Sequence, residues 1–311
     1  MTNRRGAVRA RIAAAVKRGL LSAGQYRRVL RRSTFPGVAV LCYHGVRPDD
    51  MPDGSIAFQY LHIRASEFEG HCRLIRDTCN PISLDDWRAA AAGSRPLPPR
   101  PVLITFDDGY RSVFRHAAPM LSAYGLPAAV FVCSGPLADR RLFWFDEIAA
   151  RDGEAAVERW KAQEYYRWRA ACAQTSPVAN DDPRAPMTVD EVTALSMIKG
   201  IEIGGHTAWH PILARASRDS QREEIAQNLR AVAEWTGGPV RAFAYPNGRR
   251  GIDYNSDTME LLRESGIDAA FTTEPSFATA DAGALERSRF LILDNVNDAE
   301  LAHRLAYSWP R

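Results

Sequence analysis

Val102-Leu103-Ile104-Thr105-Phe106-Asp107-Asp108-Gly109 is an unbroken apolar run that stops at two carboxylates and a glycine. A run of this kind, rich in branched and aromatic side chains, is the pattern of a strand buried on both faces in a parallel sheet. Side chains alternate along a strand, so Asp107 and Asp108 leave its end in different directions. One can ligate a metal while its neighbour faces a substrate. Taken alone, the motif is more often a helix cap or an Asp-Gly turn. Its meaning depends on what surrounds it.

Outward from this strand the same rhythm repeats. Val38–Cys42 and Ala128–Val132 are further buried runs, and strands are expected at Ile201–Gly204, Val240–Tyr245, Ala269–Thr273 and Phe290–Leu293. Helical patterns fall between them. Ser66–Asp77 has Ser66 as its cap and Phe68, Cys72 and Ile75 along one stripe. Tyr110–Tyr124 is closed by Gly125, and Gln221–Trp235 and Asp257–Glu264 follow. Alternating strands and helices imply parallel strands joined by crossover helices. About seven such units point to an α/β fold, a distorted (β/α) barrel of about seven parallel strands. In that architecture chemistry gathers at the C-terminal ends of the strands, where Asp107 and Asp108 stand.

Two stretches break the rhythm. Residues 139–196 are rich in Trp and charge, with helical pieces at 145–168 and 189–197 and a polar loop near 179–186. They read as a helical insertion. Residues 1–35 hold Arg4, Arg5, Arg9, Arg11, Lys17, Arg18, Arg27, Arg28, Arg31 and Arg32, with no acidic residue before Asp49. Val8, Ile12, Val16, Leu20 and Leu21 recur there at helical spacing. One or two basic amphipathic helices follow, facing either an anionic membrane or the body of the domain. The domain proper is expected over 36–311.

Composition narrows the function. The 311 residues are 46% hydrophobic and 25% charged, as in ordinary globular chains. A net charge of +3, with no zinc-finger spacing, RNP-like stretch or basic heptad helix, argues against nucleic acid. The 5 cysteines form no CxxC pair and several sit in apolar runs, which suits buried thiols in a reducing compartment. Neither a secretory signal pattern nor an apolar run of about 18 residues is visible, so a cytoplasmic enzyme is expected.

The second reactive stretch is Gly204-Gly205-His206-Thr207-Ala208-Trp209-His210, after the strand at Ile201. Two histidines four apart can meet on one face of a helical turn and share a metal. The paired glycines let the backbone bend and leave room. A lone HxxxH is weak; at the end of a barrel strand it is stronger. One carboxylate and two imidazoles leave coordination positions open, as catalytic metals require. Zn2+ suits these donors best, with Co2+, Ni2+, Mn2+ or Fe2+ as alternatives. The third stretch is Arg241-Ala242-Phe243-Ala244-Tyr245-Pro246-Asn247-Gly248, whose turn could present backbone N–H groups to an oxyanion.

Together the three stretches resemble the polysaccharide deacetylases, carbohydrate esterases with the NodB homology domain, over roughly residues 36–295. Thr105–Gly109, His206–His210 and Phe243–Gly248 match the family's first three motifs. Tyr43-His44-Gly45-Val46 and Ser83-Leu84-Asp85-Asp86-Trp87 are smaller echoes. The form of the third motif is similar to the bacterial branch that serves exopolysaccharide and surface-glycan synthesis. The resemblance implies one divalent metal on Asp108, His206 and His210, with Asp107 as general base. Water on the metal would attack the acetamide of an N-acetylhexosamine unit in a glycan or lipid-linked precursor. A backbone N–H near Tyr245 would steady the oxyanion, and Thr207 would orient the ligand turn.

The departures leave alternatives open. Many members carry an arginine in the third motif that pairs with the base, but Ala244 stands in that region. Arg241, Arg287 or Arg289 could supply the charge, the last two favoured because they precede the strand at Phe290. The usual general acid is a histidine in a Leu-x-His motif. Leu301-Ala302-His303 spells it within a helical stretch, and His44, at the end of the first strand, is the alternative. Phe143, Trp144 and Phe145 could stack on sugar or pack within the insertion. Competing readings of the same residues are an O-acetyl esterase, a deformylase, or a glycan-binding protein without turnover.

Overall fold

A computed structural model describes residues 2–172, 174–179, 181–279 and 283–309. Its centre is a curl of seven parallel strands: β1 (Ala39–Tyr43), β2 (Pro101–Phe106), β3 (Ala128–Val132), β4 (Ile201–Gly205), β5 (Ala242–Ala244), β6 (Ala269–Phe271) and β7 (Phe290–Leu291). They lie in the order β7-β1-β2-β3-β4-β5-β6. β6 and β7 do not pair directly, and the segment between them closes the gap. Arg287 N–H donates to Ala270 O at 2.8 Å and Thr272 N–H to Arg287 O at 2.9 Å, while Phe290 pairs with Leu41 on β1. The result is a half-barrel with a stitched seam, the distorted barrel expected from the strand rhythm.

Alternation along the strands sorts the apolar residues into two layers. Leu41, Ile104, Phe106, Val130, Val132 and Phe243 face the surrounding helices and form the larger core. Val40, Leu103, Ala129, Phe131, Ala242, Ala244 and Phe271 fill the hollow of the curl. The inward series on β2 continues past Leu103 through Thr105 to Asp107. The polar end of the hollow is therefore set by strand parity.

Helices Thr2–Ser22 and Gln25–Arg32 lead into β1, with Tyr26 and Leu30 buried and Lys17 paired with Glu300 at 2.6 Å. The insertion after β3 holds helices Ser134–Asp139, Trp144–Asp152, Glu154–Lys161, Tyr165–Cys172 and Val189–Ser196. The stretch read as one helical piece over 145–168 is thus broken, first at Gly153, whose φ of +84° lies outside the helical region. Ser66 is not the cap expected of it. Its helix begins at Ala65, and the Ser66 hydroxyl donates to Asp49 instead, at 2.7 Å. Two features carried no legible pattern: the short parallel pair Gly45–Arg47 and His62–Arg64, and Asn80–Pro81 beside β2. All five cysteines are free and buried. Among the described residues no helix is long and apolar enough to cross a membrane.

Candidate metal centre and catalytic cleft

An open cleft of about 420 Å3 lies over the strand ends, within the size range of small-ligand sites. His44, Asp107, Asp108, His206, His210 and Asn247 line it, each just beyond the end of a strand.

Asp108, His206 and His210 come together there, all buried, with one donor atom from each lying within 4.8 Å of the others. Asp108 Oδ1 is 3.5 Å from both His206 Nε2 and His210 Nε2. That spacing is too long for good hydrogen bonds, and it suits a cation about 2.1 Å from each donor. Asp108 Oδ1 is buried without a hydrogen-bond partner, an acceptor left for something outside the protein. His206 Nδ1 lies 2.7 Å from Ala244 O, so its N–H points there and the Nε2 lone pair points into the cluster. Burial pulls the His210 ring down to about 3, which keeps it neutral, as a ligand must be. Burial opposes charge on His206 as well, but Asp108 and Asp107 outweigh it and raise this ring above its ordinary value. The carboxylates therefore draw positive charge to this point. A divalent cation fits the donor set.

The histidine segment is a loop, not the helical turn expected from its spacing. Thr207 and His210 both have positive φ, +66° and +61°, which for such residues costs about 1–2 kcal/mol each. Side chains hold the conformation: His210 N–H donates to Thr207 Oγ1 at 2.9 Å and Trp209 N–H to the buried Glu224 at 2.9 Å. Thr207 orients the turn. Gly204 and Gly205 do not bend the chain; they lie within β4. They permit close approach, since a Cβ on Gly205 would meet Asn228 Oδ1 at 2.6 Å. Asn228 was not read as functional, yet it accepts from His206 N–H at 3.1 Å and donates to Val132 O at 2.9 Å. No motif marks it, because it sits mid-helix.

Asp107 is buried beside the cluster and faces Arg289 with both oxygens. Arg289 Nη1 donates to Oδ1 at 2.7 Å and Nη2 to Oδ2 at 2.6 Å. Burial pushes the Asp107 carboxyl up, but Arg289, His206 and His44 win and hold it well below the usual carboxylate range. Of the three arginines weighed from the sequence, Arg289 supplies the charge. Arg287 stacks on Trp87 at 4.0 Å, and Arg241 pairs with Asp268 at the far end of β5 and β6.

His44 lines the cleft and its Nδ1 is buried without a partner. His303 lies elsewhere, with Nδ1 3.2 Å from Tyr26 OH against the N-terminal helices, so the Leu-x-His spelling does not reach the cleft. Tyr245 also needs correction. Its N–H donates to Phe271 O at 3.1 Å, its hydroxyl to Leu285 O at 2.9 Å, and its ring stacks on Tyr254. The neighbour that reaches the cleft is Asn247, in a left-handed conformation with φ +58°. Of the three aromatics in the insertion, Phe143 and Trp144 pack inward, and Phe145 reaches the cleft against the His210 ring, 5.0 Å between centroids.

Comparison with known proteins identifies the family. The sequence profile of the polysaccharide deacetylases matches residues 94–270, more than half of the chain. The chain belongs to the polysaccharide deacetylase family. As a deacetylase of this family it is 30% identical over 279 residues to the poly-beta-1,6-N-acetyl-D-glucosamine N-deacetylase of Escherichia coli strain K12. That match covers 86% of this chain but only 38% of the longer E. coli protein. Among solved structures, IcaB from Ammonifex degensii aligns over 88% of this chain and 98% of its own, with a TM-score of 0.63 at 22% identity. The Streptococcus pyogenes deacetylase PplD, in complex with acetate, aligns over 88% and 99% with a TM-score of 0.63 at 19% identity. At such identities the two structures speak for the fold alone.

Proposed function

We propose that this deacetylase hydrolyses the N-acetyl group of N-acetylhexosamine units in a glycan or lipid-linked glycan precursor. The observation that carries the proposal is the pairing of two carboxylates with different partners in one cleft. Asp108 turns to two imidazoles, and Asp107 turns to an arginine. A cation held by Asp108, His206 and His210, with Zn2+ the best match to these donors, would polarise the acyl carbonyl and acidify water.

The chain's own groups supply the rest. Asp107, kept ionised by Arg289, accepts the proton from the attacking water. The bidentate guanidinium fixes its carboxylate plane. Asn247, which lines the cleft at the turn after β5, donates its N–H to the oxygen on which negative charge develops. His44, just beyond the end of β1, delivers a proton to the departing amine.

The test is acetate release from N-acetylhexosamine oligosaccharides by metal-loaded protein, beside O-acetyl and N-formyl analogues of the same sugars. Preference for the N-acetyl substrate supports the proposal. Faster cleavage of the ester or the formamide would replace it with one of those activities.

The N-terminal helices bear on where the enzyme works. Ile12 and Val16 stand 59% and 54% exposed on one face of a helix that shares its segment with ten basic residues and no acidic one. Such a face suits peripheral contact with an anionic membrane at its cytoplasmic side. Sedimentation with anionic but not neutral vesicles, weakened by salt, is the expected result. Equal recovery with both kinds of vesicle would remove this part of the reading.

A further inference from the structure

The rim of the catalytic cleft closes on itself. On one side, the loop after β1 meets the insertion helix Glu154–Lys161, where Phe58 N–H donates to Glu154 Oε1 at 2.8 Å. The same loop is tied to the segment after β7, with Asp294 N–H donating to Tyr60 O at 2.9 Å. The lead into β7 is joined to the loop after β6 through Arg289 N–H and Glu274 O at 3.1 Å. That loop in turn meets the turn after β5, where Thr273 N–H donates to Gly248 O at 3.1 Å.

From there the wall continues back to the insertion. Arg249, on the cleft, bonds Asp253 at 2.8 Å, and Asp253 O accepts from Ala214 N–H at 3.0 Å in the loop after β4. The neighbouring Arg215 reaches Ala162 O at 3.5 Å, at the end of the insertion helix where the circuit began. A groove that threads a polymer needs a gap in its wall at each end. Every neighbouring pair of segments around this wall is instead joined by a hydrogen bond. Lys161, paired with Glu158 at 2.9 Å, and Arg249 put hydrogen-bonding groups on the inner edge, and Phe58 and Tyr60 put aromatic faces there.

We infer that the site is a one-ended pocket entered from its mouth, so that the chain deacetylates a terminal or singly presented N-acetylhexosamine rather than units inside a long polymer. The helical insertion is the element that completes the wall. This inference rests on the deacetylase reading above. The cleft's volume, about 420 Å3, sits at the lower end of small-ligand sites, as a site for a short stretch of sugar should.

The experiment uses β-linked N-acetylglucosamine oligosaccharides, dimer through hexamer, labelled at the reducing end. Mass spectrometry locates the first acetyl lost at each length. Binding of the same series to the metal-loaded Asp107→Asn variant is measured in parallel by calorimetry. The expected result is loss from an end unit at every length, with affinity that stops rising beyond the trimer. Internal units that lose acetyl as fast as ends would overturn the inference, as would affinity that climbs with every added unit to the hexamer. If no oligosaccharide releases acetate, the deacetylase reading fails, and the binding series still decides between pocket and groove.

Discussion

Arg289 and Asp107 meet two-on-two in the hollow of the barrel, 182 residues apart in sequence, with the guanidinium fully buried. Arg289 Nε also donates to Thr272 O at 2.8 Å and Nη1 to Thr105 at 3.2 Å, so the side chain that holds Asp107 is itself held. The pair lies where β7 is stitched to β6, and the seam of the fold thereby becomes part of the site. Removal of one partner from such a pair leaves a buried charge uncompensated, a change worth about 3–5 kcal/mol. Arg289→Met is therefore expected to lower the melting temperature sharply. Arg289→Lys keeps the charge but loses the fork, so it should keep more stability while kcat falls. Thermal melts and steady-state kinetics on the two variants check this. Equal kcat in wild type and Arg289→Lys would contradict the orienting role.

Asn228 holds the histidine loop from behind. Asn228→Leu strands His206 N–H and Val132 O in a buried region, at a cost of about 1–3 kcal/mol per unpaired group. Groups that orient metal ligands typically contribute about 10–100-fold in metal affinity. Competition titration with a chelator should show that loss while the far-ultraviolet circular dichroism stays unchanged. Unaltered affinity would mean that the loop stands without this support.

His44 and His303 make opposite predictions. His44→Gln should lower kcat on an N-acetyl substrate more than on an activated aryl acetate, whose leaving group needs no proton. His303→Ala should leave kcat unchanged and reduce only stability, through loss of the Tyr26 contact. A fall in kcat for His303→Ala would restore the Leu-x-His reading.

Asp146 gives a pH dependence outside the cluster of Asp108, His206 and His210. It is fully buried, accepts from Tyr110 OH at 2.7 Å, and is pushed by burial up to about 8. Its unfolded value is about 3.9, so the folded chain holds an extra proton between these limits. The stabilising contribution is whole below about pH 4 and is lost as pH rises through about 8. Asp146→Asn, which cannot ionise, should gain melting temperature over the wild type at pH 9 relative to pH 5. A constant difference across that range would show that Asp146 is already ionised in the fold.

The contrast between these residues shows what a sequence makes legible. The barrel strands and the residues at their ends were readable because parity and local composition fix them: Thr105-Phe106-Asp107-Asp108 carries its own direction. The cluster of Asp108, His206 and His210 follows once those strands are parallel. Arg289 could only be narrowed to one of three, since its partner is chosen by the closure of the seam. Asn228 and Ala244 O contribute through a helix face and a backbone carbonyl, which no motif records. Tyr245 was misjudged by position: its strand end is right, but Phe271 and Leu285 take its donors, and the turn carries the cleft-facing role to Asn247. The histidine spacing suggested a helical turn, because the left-handed Thr207 and His210 depend on Glu224 and on one another.

The most direct test compares wild type with Asp107→Asn, measuring acetate release from an N-acetylhexosamine oligosaccharide and bound metal on the same preparations. The account predicts one metal ion in both proteins, and a rate lower by at least about 100-fold in the variant, the usual scale of a lost general base. Wild-type turnover in Asp107→Asn with its metal retained would contradict it.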